Sequence, residues 1–280
     1  MHAEERADQA AAIGTTRRRS RRRASMVRDR VLSIILPLIA LAVVFGFWQF
    51  FVVWQNIGPY IFPRLDTTLA SLRDNWPHIW SSLLITLEET AAGFVLANLL
   101  AIAGASLFVY SRTAERTLFP IAVIVQTIPI IVWSPILVIV MPTDSLYPQI
   151  AIAFLISFFP ALVNMSRGLR EVDPLLLELF RVLHASSWQV YAKLRWPAAI
   201  PALFTSLRIT STLSLIGAIV GEYVAGGGTG LGYALIEAKQ SIDTAQVMAI
   251  VLVASCAGIV IFLTVAAIER LVLSRRGQQV

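Results

Sequence analysis

Apolar runs of about twenty residues recur along this chain, and that repetition leaves few folds open. A helix of about 20 residues crosses the roughly 30 Å hydrocarbon core of a bilayer. Inside that core, only helices and closed barrels satisfy their own backbone groups. Six candidate spans fall at 31–53, 83–109, 118–141, 148–168, 206–224 and 245–268. Barrel strands would alternate apolar and polar residues in segments of about ten. The length and clean separation of these runs therefore predict an all-α membrane protein with six transmembrane helices. Hydrophobic residues make up 57% of the chain and its mean hydropathy is +0.72, which excludes an ordinary soluble domain.

The positions of Lys and Arg orient the bundle. With a cytoplasmic N-terminus, only Arg64, Arg73 and Lys239 of the 23 basic residues lie outside. The positive-inside rule selects that orientation, with the chain multi-pass in a cell (inner or plasma) membrane and both termini cytoplasmic. Residues 1–30 read as a basic, disordered tail whose run from Arg17 to Arg23 faces lipid headgroups rather than nucleic acid. A first helix at 31–53 is followed by an extracytoplasmic segment, 54–82, and a membrane domain, 83–273, then a short cytoplasmic tail, 274–280. The outside segment is rich in Trp, Tyr and Pro, residues suited to the interface, and Asp66 to Arg73 suggests a short amphipathic helix there. Cys256 is the single cysteine, so no disulfide or cysteine metal site forms within one chain. His2, His78 and His184 fall on a tail, an outside segment and an inside loop, which excludes a shared metal site.

One polar interruption breaks the apolar pattern, from Glu171 to Pro201 between the fourth and fifth runs. Asp173 suits an N-cap and Pro174 a first helical residue, while Ser186 with Gln189 three places on has the capping-box form. Two short capped helices are expected, the second stopped by Pro197. Leu175, Leu176, Leu177, Leu179, Phe180, Val182 and Leu183 give the first helix more apolar surface than a solvated loop carries. One face should pack on the bundle and another in a partner's groove, with Glu178 and Arg181 paired on what remains.

The third span contains Pro129 and Pro135, with Pro120 at its start. Each interior proline frees a carbonyl that protein or water must satisfy, so this span either lines a pathway or is kinked for packing. Asn98, Gln126, Thr127, Ser134 and Asn164 are candidates for a lining. Glu88 and Glu89 open the second span and Glu222 closes the fifth; carboxylates so placed face protein or water, or sit among headgroups. The run Gly226 to Gly232 resembles a phosphate loop, but no Gly-Lys-Ser/Thr follows, and it reads as a turn between the fifth and sixth spans. No nucleophilic triad or paired-carboxylate site is visible, so any ATP hydrolysis belongs to another subunit.

The stretch from Glu178 through Trp188-Gln189, continued by Arg195-Trp-Pro and Pro201, resembles the cytoplasmic EAA loop of ABC importer permeases. Ser82-Leu83 to Gly93-Phe94, Pro120, Ile128-Pro129, Ser134-Pro135, Phe158 to Pro160, Asn164, Gly168, Leu207-Arg208, Gly221-Glu222 and Gly230 to Gly232 resemble the nitrate/sulfonate/taurine branch of that family. The resemblance implies the type I importer permease fold with a two-helix coupling loop, and a transport subunit rather than an enzyme. It implies a second permease, homologous or identical, two cytoplasmic ATPase subunits that carry ATP and Mg, and an extracytoplasmic solute-binding protein. No cofactor would be bound by this chain. Asp173, Pro174, Glu178, Phe180, Arg181, His184, Ala185, Ser186 and Trp188 would form the ATPase contact, and Gln126, Thr127, Ser134, Asn164 and Glu222 the candidate pathway lining.

Two positions depart from the family pattern. Leu179-Phe180 stand where two alanines are usual, and His184 stands in place of the turn glycine. Histidine tolerates positive φ better than most residues, which suits it to that turn. The cargo would be a small solute such as nitrate, a sulfonate, taurine or a pyrimidine precursor. An ion-coupled secondary carrier is the alternative class, and it would want inverted repeats and intramembrane charge pairs. A membrane anchor that recruits a cytoplasmic enzyme would explain the capped loop but not the prolines of the third span.

Overall fold

In a computed structural model, the described residues (35, 36, 39–141, 146–225 and 228–274) contain helices and the turns between them. The chain divides at Thr67 into two units. In the first, helix α1 (Ile39–Trp54) is followed by a turn closed within the unit. Trp48 Nε1 donates to the Pro63 carbonyl at 3.1 Å, and the Leu65 amide donates to Gln49 Oε1 at 2.9 Å. The whole of the expected basic tail (1–30), the start of the first span and residues 275–280 lie outside the described residues. Helix α2 (Leu65–Asp74) is the short amphipathic helix expected around Asp66.

The second unit begins its membrane part with α3 (Trp76–Tyr110), a helix of 35 residues that starts earlier than the expected 83. Pro77 sits in its first turn, where a missing N–H does no harm. At about 1.5 Å per residue α3 is roughly 52 Å long, more than the bilayer core requires. Next come α4 (Arg112–Thr127) and α5 (Ile130–Val140), which meet at 99°. Ile128, with φ −72° and ψ 123°, is held extended by the ring of Pro129, and this breaks the span expected at 118–141. Helix α6 (Tyr147–Arg170) then leads through Asp173 to α7 (Pro174–Val182). Four helices are long and apolar enough to cross a membrane, five if the bent pair counts as one. The described part of α1 is shorter, so among the described residues six full spans are not resolved.

After α7 the structure departs from expectation. The capping box at Ser186 opens α8 (Ser187–Val190), which continues through a π-turn (Tyr191–Arg195) into α9 (Trp196–Ala225). Pro197 therefore does not stop a short helix, and Ser187–Val224 is one continuous element of 38 residues. The Trp196 amide bonds the Tyr191 carbonyl five residues back, so the ladder is already widened where proline lacks its donor. Past the glycine run lies a helix missing from the sequence reading, α10 (Leu231–Gln240), and then α11 (Thr244–Ser274).

Small residues set the packing. Along α3, Gly93, Ala97, Ala101 and Ala105 recur every fourth position and are all buried. They form a stripe on which α6 lies, because residues four apart share a helix face. A Cβ on Gly93 would stand 2.5 Å from Ala153 Cβ, and one on Gly217 would stand 2.7 Å from Ala153 Cα. Helix α6 is thus wedged between α3 and α9 at backbone contact. Asn98 Nδ2 donates to Thr210 Oγ1 at 3.1 Å, and the Ser157 and Ser214 hydroxyls bond at 2.7 Å, joining α9 to both neighbours. Asn98 is therefore a packing group, not a lining one.

Candidate functional site

Helix α7 carries the exposed chemistry. Asp173 caps it, its side chain accepting from the Leu175 amide at 2.9 Å, with Pro174 as first residue. It ends in a Schellman motif: the Ala185 amide bonds the Phe180 carbonyl and the His184 amide bonds that of Arg181, each at 3.0 Å. His184 occupies the left-handed position at φ 51°, where glycine is usual, and its Nδ1 lies 3.0 Å from the Val182 carbonyl. No residue of α7 is buried; Leu175, Val182 and Leu183 are 73%, 74% and 66% exposed, and only Leu177 and Phe180 are half-covered. The face expected to pack on the bundle is thus uncovered. Glu178 and Arg181 form no ion pair among the described residues.

The second half of the block is tied down. Tyr191 in the π-turn shares a hydrogen bond with Ser106 of α3 at 2.7 Å and lies 5.4 Å, ring to ring, from Tyr110. The exposed Trp188 ring stacks on Tyr191 at 5.7 Å. Arg195 Nη1 reaches the Leu169 carbonyl at 2.9 Å. Between these residues and Arg181, Ala185 and Ser187 lies a cavity of about 300 Å³. The block therefore holds one free helix beside one braced to the bundle.

The pathway candidates separate. Gln126 and Thr127 are exposed at the α4–α5 break, where the Thr127 hydroxyl donates to the Ile124 carbonyl at 2.7 Å. Asn164 is half-buried and donates to the Pro160 carbonyl of its own helix at 2.9 Å. Ser134 and Glu222 are fully buried, which turns both inward and corrects their assignment as lining.

Glu222 instead anchors a buried polar centre. Its carboxylate accepts from the Thr86 hydroxyl and from the Gly232 amide, both at 2.6 Å, linking α9 to α3 and α10. The Leu231 amide donates to Thr86 Oγ1 at 2.9 Å. Gly230, at φ 91°, has no room for a side chain because a Cβ would strike the Glu222 carboxyl. Glu89, also fully buried, lies beside Glu222, and neither of its carboxyl oxygens has a hydrogen-bond partner among the described residues. Of the two readings of Glu89, burial favours the one facing protein; in the glycine run, Gly228 and Gly230 take the positive φ expected of a turn, but Leu231 and Gly232 already belong to α10. Gly226 and Gly227 lie outside the described residues. The signal in the sequence was Thr86, Glu89, Glu222 and Gly232 together, but the 136 positions between Thr86 and Glu222 hide their meeting.

These features define a helical membrane protein with one short, capped, apolar helix left uncovered. Residues 93–278 match the family of binding-protein-dependent transport system inner membrane components, and the chain belongs to that family. It is a transport permease subunit and not an enzyme, ATP hydrolysis being the task of a separate ATPase. A probable ABC transporter permease protein of Haemophilus influenzae is 31% identical over 222 residues, 79% of this chain and 90% of that one. The formylaminopyrimidine transport permease protein ThiX of Halalkalibacterium halodurans is 30% identical over 239 residues, covering 83% and 95%. The nitrate import permease protein NrtB of a Synechocystis strain is 26% identical over 253 residues, covering 85% and 89%. Among solved structures, the inward-facing MetNI methionine ABC transporter shares the fold, with TM-score 0.57 at 20% identity over 70% of this chain and 94% of that one.

Proposed function

We propose that this chain forms half of the translocation pathway of an ATP-driven importer and receives the motor's stroke through residues 171–197. The observation that carries this is α7, a capped helix on which Leu175, Leu176, Leu179 and Val182 stand exposed. Apolar side chains on a helix are left uncovered where a partner's groove takes them. Asp173, Pro174 and Ser186 hold the two helices in shape, Leu175, Leu179 and Val182 enter the groove, and Arg181, His184, Ala185 and Trp188 line its rim. The braced π-turn and α9 carry the displacement into the bundle.

Around this chain the assembly is a second permease, two cytoplasmic ATPases that bind ATP and Mg, and an extracytoplasmic solute-binding protein. Six spans with both termini cytoplasmic fit the distribution of Arg and Lys. Gln126, Thr127 and Asn164 line the path for a small solute of the nitrate, sulfonate or pyrimidine-precursor kind. In membranes holding the whole importer, Glu178→Arg and His184→Trp abolish uptake while the chain remains inserted. Undiminished uptake by both variants sinks the docking role. The buried Glu89–Glu222 pair is the one feature that favours an ion-coupled carrier instead. Transport by this chain reconstituted alone, driven by a proton gradient, would establish that reading.

A further inference from the structure

Four arginines converge where α3, α4, α6 and the π-turn meet. Arg112 and Arg116, one turn apart on α4, join Arg170 and Arg195 around a cavity of about 380 Å³ that holds a single carboxylate, Glu115. Glu115 pairs with Arg170 at 2.6 Å. Arg170 Nη2 also donates to the Phe108 carbonyl at 3.2 Å, and Arg195 to the Leu169 carbonyl, so both guanidiniums are held in place. Arg112, Arg116 and Arg195 form no ion pair among the described residues. Gathering like charges in one cavity raises the energy of the empty site, and an anion offsets that repulsion.

The wall opposite tells which anion. Phe108 lines this cavity and also a second one, about 310 Å³, which runs along Leu118, Ile121, Val125, Phe158 and Leu162 between α3, α4 and α6. A charged mouth and an apolar groove thus lie on either side of the Phe108 ring, the groove running along the helices away from the arginines. Orthophosphate would use only the mouth, whereas a phospholipid uses both.

We propose that an anionic phospholipid sits here, its phosphate among Arg112, Arg116, Arg170 and Arg195 and an acyl chain in the groove beyond Phe108. The site ties α4 to the membrane surface next to the braced half of the coupling block, so lipid charge bears on how easily the α4–α5 break moves. This inference rests on the chain being a membrane permease and not on the ATPase contact, so either can fail alone.

Native mass spectrometry of the full chain in detergent tests it, with dioleoyl phosphatidylglycerol, dioleoyl phosphatidylcholine and orthophosphate as separate probes. Phosphatidylglycerol should be retained over phosphatidylcholine. Arg112 and Arg116 are exposed, so replacing them leaves the core intact. Arg112→Gln with Arg116→Gln should lower phosphatidylglycerol retention about thirtyfold and leave phosphatidylcholine unchanged. Ile121→Trp, which fills the groove, should weaken phosphatidylglycerol and not orthophosphate. Equal retention of the two lipids, or no effect of the double variant, overturns the site. Orthophosphate binding as tightly as phosphatidylglycerol, with Ile121→Trp silent, makes it a free-anion site and overturns the lipid. Disulfide-linked dimers of an Ile121→Cys chain made with Cys256→Ser would show a second copy covering the groove, which also overturns it.

Discussion

Helix α7 and the α3–α6–α9 wedge lie in one unit of one chain and are held by opposite means. In the wedge, glycines and alanines bring backbones into contact, and Gly93 and Gly217 both press on Ala153. Helix α7 is nine residues long with no buried side chain, too short to persist on its own account. Caps at both ends hold it. The contrast teaches where each part can tolerate change: the wedge has no spare volume, while α7 has surface to give away and shape to keep.

The comparison breaks most visibly if bulk is added to the wedge. Gly217→Leu would drive a side chain into the Ala153 backbone, costing about 3 kcal/mol or more, seen as loss of monodisperse protein and a lower thermal midpoint. An unchanged midpoint would mean that α6 and α9 are looser than drawn. Glu222→Ala comes next, at about 2–3 kcal/mol, because it strands the buried Gly232 amide and leaves the Thr86 hydroxyl only the Ser82 carbonyl of its own helix. Glu89→Gln should cost far less, since neither Glu89 oxygen has a hydrogen bond to lose and an amide can donate to Glu222; a loss equal to that of Glu222→Ala would show that Glu89 helps hold the centre together. Ser186→Ala should cost about 1 kcal/mol, confined to the start of α8 and read as faster amide exchange from Ser187 to Val190.

The smallest stability effect belongs to α7. Leu175→Ser and Val182→Ser should shift the midpoint by no more than about 0.5 kcal/mol, because both side chains are already in solvent. Uptake by the assembled importer should nevertheless fall steeply, as buried anchors dominate binding at an interface. Wild-type uptake, or a large loss of stability, would erase the difference between the two regions.

Local chemistry was legible in advance. Asp173 with Pro174, the Ser186–Gln189 box and the positive φ of His184 each depend on a few neighbours, and each stands as expected. The break at Pro129 was visible as a proline, though not as a right-angled bend. Glu222 was misjudged for the opposite reason. A carboxylate near the end of an apolar run looks like a lining group until Thr86, Gly230 and Gly232 are known to surround it. Pro197 misled because its usual effect was cancelled by a π-turn, whose wider ring has no signature in composition.

By itself the sequence determined that this chain lives in a membrane, which residues cap the helices of its polar block, and which family it resembles, because hydropathy, capping and motif spacing act over tens of residues at most. Only the tertiary structure decided that α7 stands clear of the bundle while its neighbour is braced, that Glu89 and Glu222 share one buried centre, and that four arginines face one cavity. Those outcomes turn on which helices touch. Contact between segments more than a hundred residues apart is set by the packing of small side chains across the whole bundle.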